Sequence, residues 1–99
     1  MIEKTNSYQA GNTIRLVCTF KDFNGVKINP TNTKISFYNY KYERLQQTTL
    51  SITNRLETGV YFYNYITPST LEQRIIYEWY GEINGLPSIK RGSFRTVFI

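Results

Sequence analysis

The chain has 99 residues, of which 40% are hydrophobic and 19% are charged. This composition provides for one apolar core and excludes an intrinsically disordered chain. The sequence contains no histidine and a single cysteine, which excludes histidine-based catalysis, imidazole metal sites and an internal disulfide. The net charge of +5 points to an acidic partner or nucleic acid only where basic residues cluster. Most of them are spread singly, and only Lys90, Arg91 and Arg95 approach a patch.

The first seven residues contain no apolar segment of the kind found in a secretory signal. No apolar run approaches the length of about 18 residues that a membrane-spanning helix needs. We therefore expect synthesis in the cytoplasm and no membrane partner.

Apolar residues alternate with polar ones along most of the chain, which predicts β-strands. Seven strands are predicted, over residues 14–20, 26–28, 35–38, 45–52, 60–66, 75–83 and 89–99. Polar, Asn or Gly residues at 22–25, 31–33 and 84–85 predict turns, of which Asn84-Gly85 is the strongest hairpin signal. Residues 40–42 either continue the third strand or form an aromatic-tipped loop, 54–58 form a polar stretch, and 69–74 are predicted as a loop or a single helical turn.

Two strands have informative faces. Ile14, Leu16, Cys18 and Phe20 share the apolar face of the first strand, so Cys18 is expected to be buried and inert. The strand over 60–66 places three tyrosines on one face and Val60, Phe62 and Ile66 on the other. Since neither face is polar, we expect this strand to be buried on both sides or covered by a partner.

About seven short strands, regularly spaced turns and almost no helix predict an all-β fold, either an antiparallel β-sandwich or a small barrel. The Cys–Trp–Cys spacing of true immunoglobulin domains is missing, which leaves open an immunoglobulin-like sandwich of other ancestry. We predict a single β-sandwich domain over residues 8–99, preceded by a flexible N-terminal arm over residues 1–7.

Two acidic patterns are candidates for a catalytic or metal site. Glu78 and Glu82 share one strand face but lie about 13 Å apart, too far for paired acid and base groups, so both are predicted to face solvent. Asp22 beside Asn24 lacks the further oxygen ligands of a calcium site and is predicted to form a turn. We expect no catalytic residue, no metal and no cofactor, and hence no enzyme.

The aromatic residues allow three interpretations. Tyr38, Tyr40, Lys41, Tyr42 and Arg44 resemble the stacking platform of a small β domain that binds single-stranded nucleic acid or carbohydrate. Tyrosine and phenylalanine also fill the cores and rims of β-sandwiches, which is the favoured interpretation. A protein interface is the third, because interfaces are enriched in Tyr and Arg.

The order of several segments resembles a family of small virion proteins of tailed bacteriophages. These segments are 8–16, 19–25, 29–31, 58–61, 77–83 with Gly85, and 91–94, and they cover nearly the whole chain. Each is a weak motif of turn glycines and strand aromatics, so the match depends on their order. The family has a short Pro-Gly segment before its long strand, where this chain has residues 69–74.

The resemblance implies an immunoglobulin-like fold and a non-enzymatic structural role in the virion, at the capsid, neck or tail. The expected partners are capsid, connector or tail subunits in an assembly that holds multiple copies of the chain, and nucleic acid is not expected. We predict that Tyr40, Tyr42, Lys90, Arg91 and Arg95 lie at partner contacts. The alternative is the small domain that binds single-stranded nucleic acid or carbohydrate through exposed aromatic residues.

Overall fold

The computed structural model describes residues 6–67 and 73–97 as an all-β protein. Its strands are β1 (Asn6–Gln9), β2 (Thr13–Thr19), β3 (Thr31–Tyr38), β4 (Arg44–Thr49), β5 (Arg55–Glu57), β6 (Val60–Ile66), β7 (Gln73–Ile83) and β8 (Leu86–Val97). A 3-10 turn, Ile52–Asn54, leads from β4 to β5.

The strands form two sheets. The first has five strands in the order β1-β8-β7-β3-β4, and the second has three strands in the order β2-β6-β5. All neighbours are antiparallel except β1 and β8, which pair in parallel. The five-stranded sheet is therefore mixed, and the prediction of a wholly antiparallel fold is wrong at this one pair.

The core lies between the two sheets and consists largely of aromatic rings. Phe37 and Trp79 of the five-stranded sheet and Tyr61 and Tyr65 of the three-stranded sheet are buried in one continuous cluster. Tyr65 stacks on Phe37 with ring centroids 4.0 Å apart. Because the apolar residues of each strand recur at every second position, each sheet contributes one apolar face to this cluster.

Most of the predicted strands are confirmed with small shifts of their ends. The strands predicted over 14–20, 60–66 and 75–83 correspond to β2, β6 and β7. The hairpin at Asn84-Gly85 is confirmed, since both residues have the positive φ angles of a tight turn, 54° and 76°. Cys18 is buried, as predicted.

Three local predictions are wrong. Residues 26–28 form no strand, because only an isolated bridge joins Lys21 to Lys27. Residues 31–33, predicted as a turn, are the irregular start of β3, where the register against β7 shifts and Asn32 has a φ of 51°. Gln73 and Arg74, predicted as the end of a loop or helical turn over 69–74, are the first two residues of β7. The polar stretch 54–58 also contains a short strand that was not predicted, β5, which pairs with β6.

The remaining predictions concern the two ends of the chain and the loop before β7. Asn6 and Ser7, the last two residues of the predicted arm, pair with β8. Residues 1–5, 68–72 and 98–99 lie outside the described part of the chain. The arm over its first five residues and the loop over 69–72 therefore stay predictions, as does the last strand beyond Val97.

The side of the three-stranded sheet that points away from the core is partly open to solvent. Phe62 is covered by the guanidinium of Arg15, which lies 4.3 Å from the ring centroid. Ile66 is 73% exposed. Strand β6 is thus buried on its tyrosine face and open to solvent on the other within this chain.

Candidate protein interface on the five-stranded sheet

The side of the five-stranded sheet that points away from the core is called here the outer face. Side chains from four neighbouring strands form rows across it, because directly paired residues project to the same side. One row contains Arg44, Tyr38, Ile76 and Ser93, and the next contains Gln47, Ser36, Glu78 and Arg91. This face brings together residues that are up to about fifty positions apart in the sequence.

A cleft of about 490 Å³ opens on the outer face. It is lined by Tyr38, Tyr42, Ile76, Glu78 and Arg91. Two aromatic rings and an aliphatic side chain give it an apolar wall, and an ion pair gives it a polar one. This mixture is typical of the Tyr- and Arg-rich centres of protein interfaces.

The ion pair in the cleft is asymmetric in its exposure. Arg91 Nε donates to Glu78 Oε2 at 2.7 Å, with the arginine side chain 64% exposed and the glutamate side chain 19% exposed. In the described part of the chain the guanidinium bonds to Glu78 through Nε alone, so its two NH₂ groups remain available. The carboxylate holds the guanidinium in place, and the guanidinium can make a forked contact with an acceptor on another molecule.

The turn between β3 and β4 presents Tyr42 beside this cleft. Asn39 Oδ1 accepts from the backbone N–H groups of Lys41 and Glu43, at 2.9 and 3.0 Å. The Asn39 backbone carbonyl accepts from the N–H of Tyr42 at 2.9 Å. Tyr42 has a φ of 63° and is 76% exposed. A positive φ is unfavourable for a side chain of this size, so the hydrogen bonds of Asn39 are what hold Tyr42 there.

The outer face is predominantly basic. It carries Lys34, Arg44, Arg74, Arg91 and Arg95 against the two carboxylates Glu78 and Glu82. The hydroxyl of Tyr80 donates to Glu82 Oε2 at 2.9 Å, and this hydrogen bond raises the pKa of Tyr80. Each carboxylate is therefore engaged by a neighbour on the same sheet. Because the basic residues of the outer face outnumber its carboxylates, a surplus of positive charge is left for a partner.

The structure divides the five predicted contact residues between the two sides of the five-stranded sheet. Tyr42 and Arg91 line the cleft, and Arg95 lies on the outer face two rows away. Tyr40 is 63% exposed on the turn beside them. Lys90 points to the opposite side of the sheet, where its Nζ donates to the carbonyl oxygen of Thr19 at 2.7 Å. The structure thus brings four of the five to one region and separates Lys90 from them, and their contact with a partner stays a prediction.

Three residues that line the cleft were not among the predicted contact residues: Tyr38, Ile76 and Glu78. Glu78 was predicted to face solvent; it lies on the outer face, and its side chain is 19% exposed within the cleft. Ile76 occupies the same alternating phase as Glu78 in β7, so an apolar residue on the polar phase of a strand was the signal that marked it.

Three of the carboxylates discussed above accept hydrogen bonds from neighbouring groups, and the thiol is buried. Glu78 is paired with Arg91 and Glu82 with Tyr80, while Asp22 Oδ1 accepts from the N–H groups of Asn24 and Val26, which confirms its role in a turn. Over 6–67 and 73–97, no three potential metal-ligating side chains of His, Cys, Asp or Glu come together. Burial raises the pKa of the Cys18 thiol to about 11.

Comparison with known proteins adds no relative, since no protein family, curated protein or solved structure matches the chain. None of the helical residues within the described ranges forms a segment long and apolar enough to cross a membrane.

Proposed function

We propose that this chain is a non-enzymatic assembly component of a tailed-phage virion, which acts through protein–protein contacts at the capsid, neck or tail. The observation that carries the proposal is the cleft on the outer face, where the exposed Tyr42 and Arg91 lie beside Tyr38 and Ile76. A basic, aromatic face on a rigid sheet fits an acidic protein partner.

The strand order supports an immunoglobulin-like sandwich as the framework. If β2, β3, β4, β5, β6, β7 and β8 are taken as strands B, C, C′, D, E, F and G, the three-stranded sheet has the order B-E-D. The five-stranded sheet then has the order G-F-C-C′, with β1 added beside G. This partition matches the two sheets of immunoglobulin domains. The disulfide between B and F has no counterpart, because Cys18 on β2 is the only cysteine.

The alternative function, binding of single-stranded nucleic acid or carbohydrate, has one observation in its favour. Tyr38 and Tyr42 line a cleft next to basic side chains, and bases or sugar rings stack on such surfaces. Against it, Glu78 contributes a negative charge to the same cleft and would face a phosphate backbone. A protein partner accommodates both charges of the ion pair, which is why the assembly role is preferred.

The proposal is tested by co-sedimentation of the tagged chain with purified phage particles. Wild-type protein is expected to sediment with particles at a fixed stoichiometry. The double variant Tyr42→Ser/Arg91→Ala is expected to lose at least about tenfold in affinity, because it removes the aromatic and the cation of the cleft.

A matched control removes another exposed aromatic residue and the cation of another surface ion pair. Phe23 is 89% exposed at the tip of the turn between β2 and β3, and Lys27 pairs with Glu57 on the surface. The variant Phe23→Ser/Lys27→Ala should bind particles like wild type. Equal binding by both double variants would contradict the proposed surface. Tight binding of oligonucleotides that weakens steeply with salt would instead favour the alternative.

A further inference from the structure

Strand β4, Arg44–Thr49, forms one edge of the five-stranded sheet. Among residues 6–67 and 73–97, β3 is the only strand that pairs with it. The opposite side of β4 therefore presents backbone N–H and C=O groups that another strand can bind.

The other edges of the two sheets carry features that oppose strand pairing. Strand β1, the opposite edge of the five-stranded sheet, is only four residues long. The part of β8 beyond its pairing with β1 contains Pro87, Lys90 and Arg91. Strand β2 carries Arg15, and β5 is only three residues long. Charges, proline and shortness are the usual protection of an edge strand.

Strand β4 lacks this protection over most of its length. After Arg44, the chain contains no charged residue and no proline over positions 45–54. Its central residues are Gln46, Gln47, Thr48 and Thr49. The threonines favour β structure, and the uncharged side chains do not repel a second strand.

The register against β3 shows which amides point outward. The N–H of Leu50 donates to the carbonyl of Thr33 at 2.8 Å. In an antiparallel ladder the hydrogen-bonded pairs recur at every second residue. The backbone groups of Thr48, opposite Ile35, therefore point toward β3, and those of Gln47 and Thr49 point away from it.

We propose that β4 pairs with the β4 of a second copy of this chain, antiparallel and with the two-fold axis at Gln47. The two outward-facing Gln47 residues then exchange both backbone hydrogen bonds, and Gln46 of each copy lies opposite Thr48 of the other. This register keeps the core-side and outer-side residues of each strand on matching faces, as an antiparallel pair requires. A two-fold axis makes one uncharged edge complementary to itself.

The pairing joins two five-stranded sheets into one continuous sheet. Because the axis is perpendicular to the sheet, both clefts lie on the same side of the dimer. A partner array that repeats with matching spacing would bind both copies at once, which increases the apparent affinity without any new contact.

The test is sedimentation velocity of the purified chain over a wide range of concentrations. Wild-type protein is expected to dimerise. The variant Gln47→Pro removes the outward N–H, and proline is tolerated on an edge strand where that group faces solvent. We expect Gln47→Pro to weaken dimerisation by at least about tenfold.

The variant Gln47→Ala is the matched control, since it also loses the hydrogen bond from Gln47 Nε2 to Ser36 Oγ but keeps the backbone N–H. It should dimerise like wild type.

A second pair of variants does not depend on tolerance of proline. Gln47→Lys alone and Gln47→Glu alone place like charges opposite each other and should be monomeric, whereas an equal mixture should form a heterodimer.

A wild-type protein that stays monomeric at every concentration would overturn the inference. So would a Gln47→Lys variant that dimerises as tightly as wild type. Neither result contradicts the binding of particles by the outer face: a monomeric chain would still sediment with particles, at a lower apparent affinity than a dimer.

Discussion

At the scale of single residues, aromatic rings fill most of the space between the two sheets. Phe20, Phe37, Trp79 and Phe94 are at most 2% exposed. Tyr63 lies at the rim, where its hydroxyl accepts a hydrogen bond from Gln46 Nε2 at 2.6 Å. The high aromatic content is thus chiefly a core feature, and the exposed exceptions are the tyrosines of the β3–β4 turn and Phe23.

Two glycines with positive φ provide a matched test of close packing. Gly25 has a φ of 80° with open space where a Cβ would lie, whereas a Cβ on Gly59, at a φ of 76°, would lie 2.7 Å from the backbone oxygen of Phe20. We expect Gly25→Ala to cost about 1 kcal/mol from backbone strain alone. Gly59→Ala should cost more than about 3 kcal/mol, because it adds a clash with backbone that cannot move away. Urea denaturation measures both, and equal losses would contradict this packing.

The buried thiol of Cys18 makes stability depend on alkaline pH. Burial raises its pKa from 9.0 to about 11. A raised pKa in the folded state means that the stabilisation is complete below pH 9 and is lost as the pH rises toward 11. Within that interval each pH unit removes up to about 1.4 kcal/mol of unfolding free energy.

Cys18→Ala should flatten this dependence, measured as the free energy of unfolding against pH. Part of the slope should remain, because burial also raises the pKa values of Tyr65 and Tyr77, with the same sign. An unchanged slope in the variant would show that ionisation of the Cys18 thiol does not affect the free energy of unfolding.

At the scale of elements, the β3–β4 turn decides where the exposed tyrosines lie. Asn39→Ala removes the acceptor for two backbone N–H groups and should destabilise the protein by about 1 to 2 kcal/mol. It should also weaken particle binding, because the side-chain hydrogen bonds that help to hold Tyr42 at its positive φ are lost. Glu43→Ala removes only the side-chain contact with Asn39 Nδ2 and should change stability by less than about 0.5 kcal/mol. Thermal unfolding compares the two, and equal losses would contradict the role of Asn39.

The long strands could be predicted from the sequence, whereas the short ones could not. Strands β2, β6 and β7 have clear alternation and long-range partners that agree with it. Strand β5 has three residues and forms only because β6 lies beside it. Strand β1 is polar, and its parallel pairing with β8 joins residues that are far apart in sequence. In both cases tertiary pairing, rather than local pattern, creates the strand.

At the scale of the whole molecule, the position of the candidate site follows from sheet topology. The exposed Tyr42 and Arg91 could be selected from composition and charge, but their proximity depends on β3, β7 and β8 being neighbours in one sheet. The same alternation places Lys90 on the other side, because successive residues of a strand face opposite ways. A basic cluster in the sequence is therefore divided between the two faces.

We propose above that the outer face of the five-stranded sheet contacts the rest of the particle. A cryo-electron microscopy reconstruction of particles that carry the chain tests it most directly. We expect a neighbouring subunit to cover the cleft, with Tyr42 and Arg91 buried by an acidic surface. A reconstruction in which this face is open to solvent, while the three-stranded sheet makes the contacts, would contradict the account.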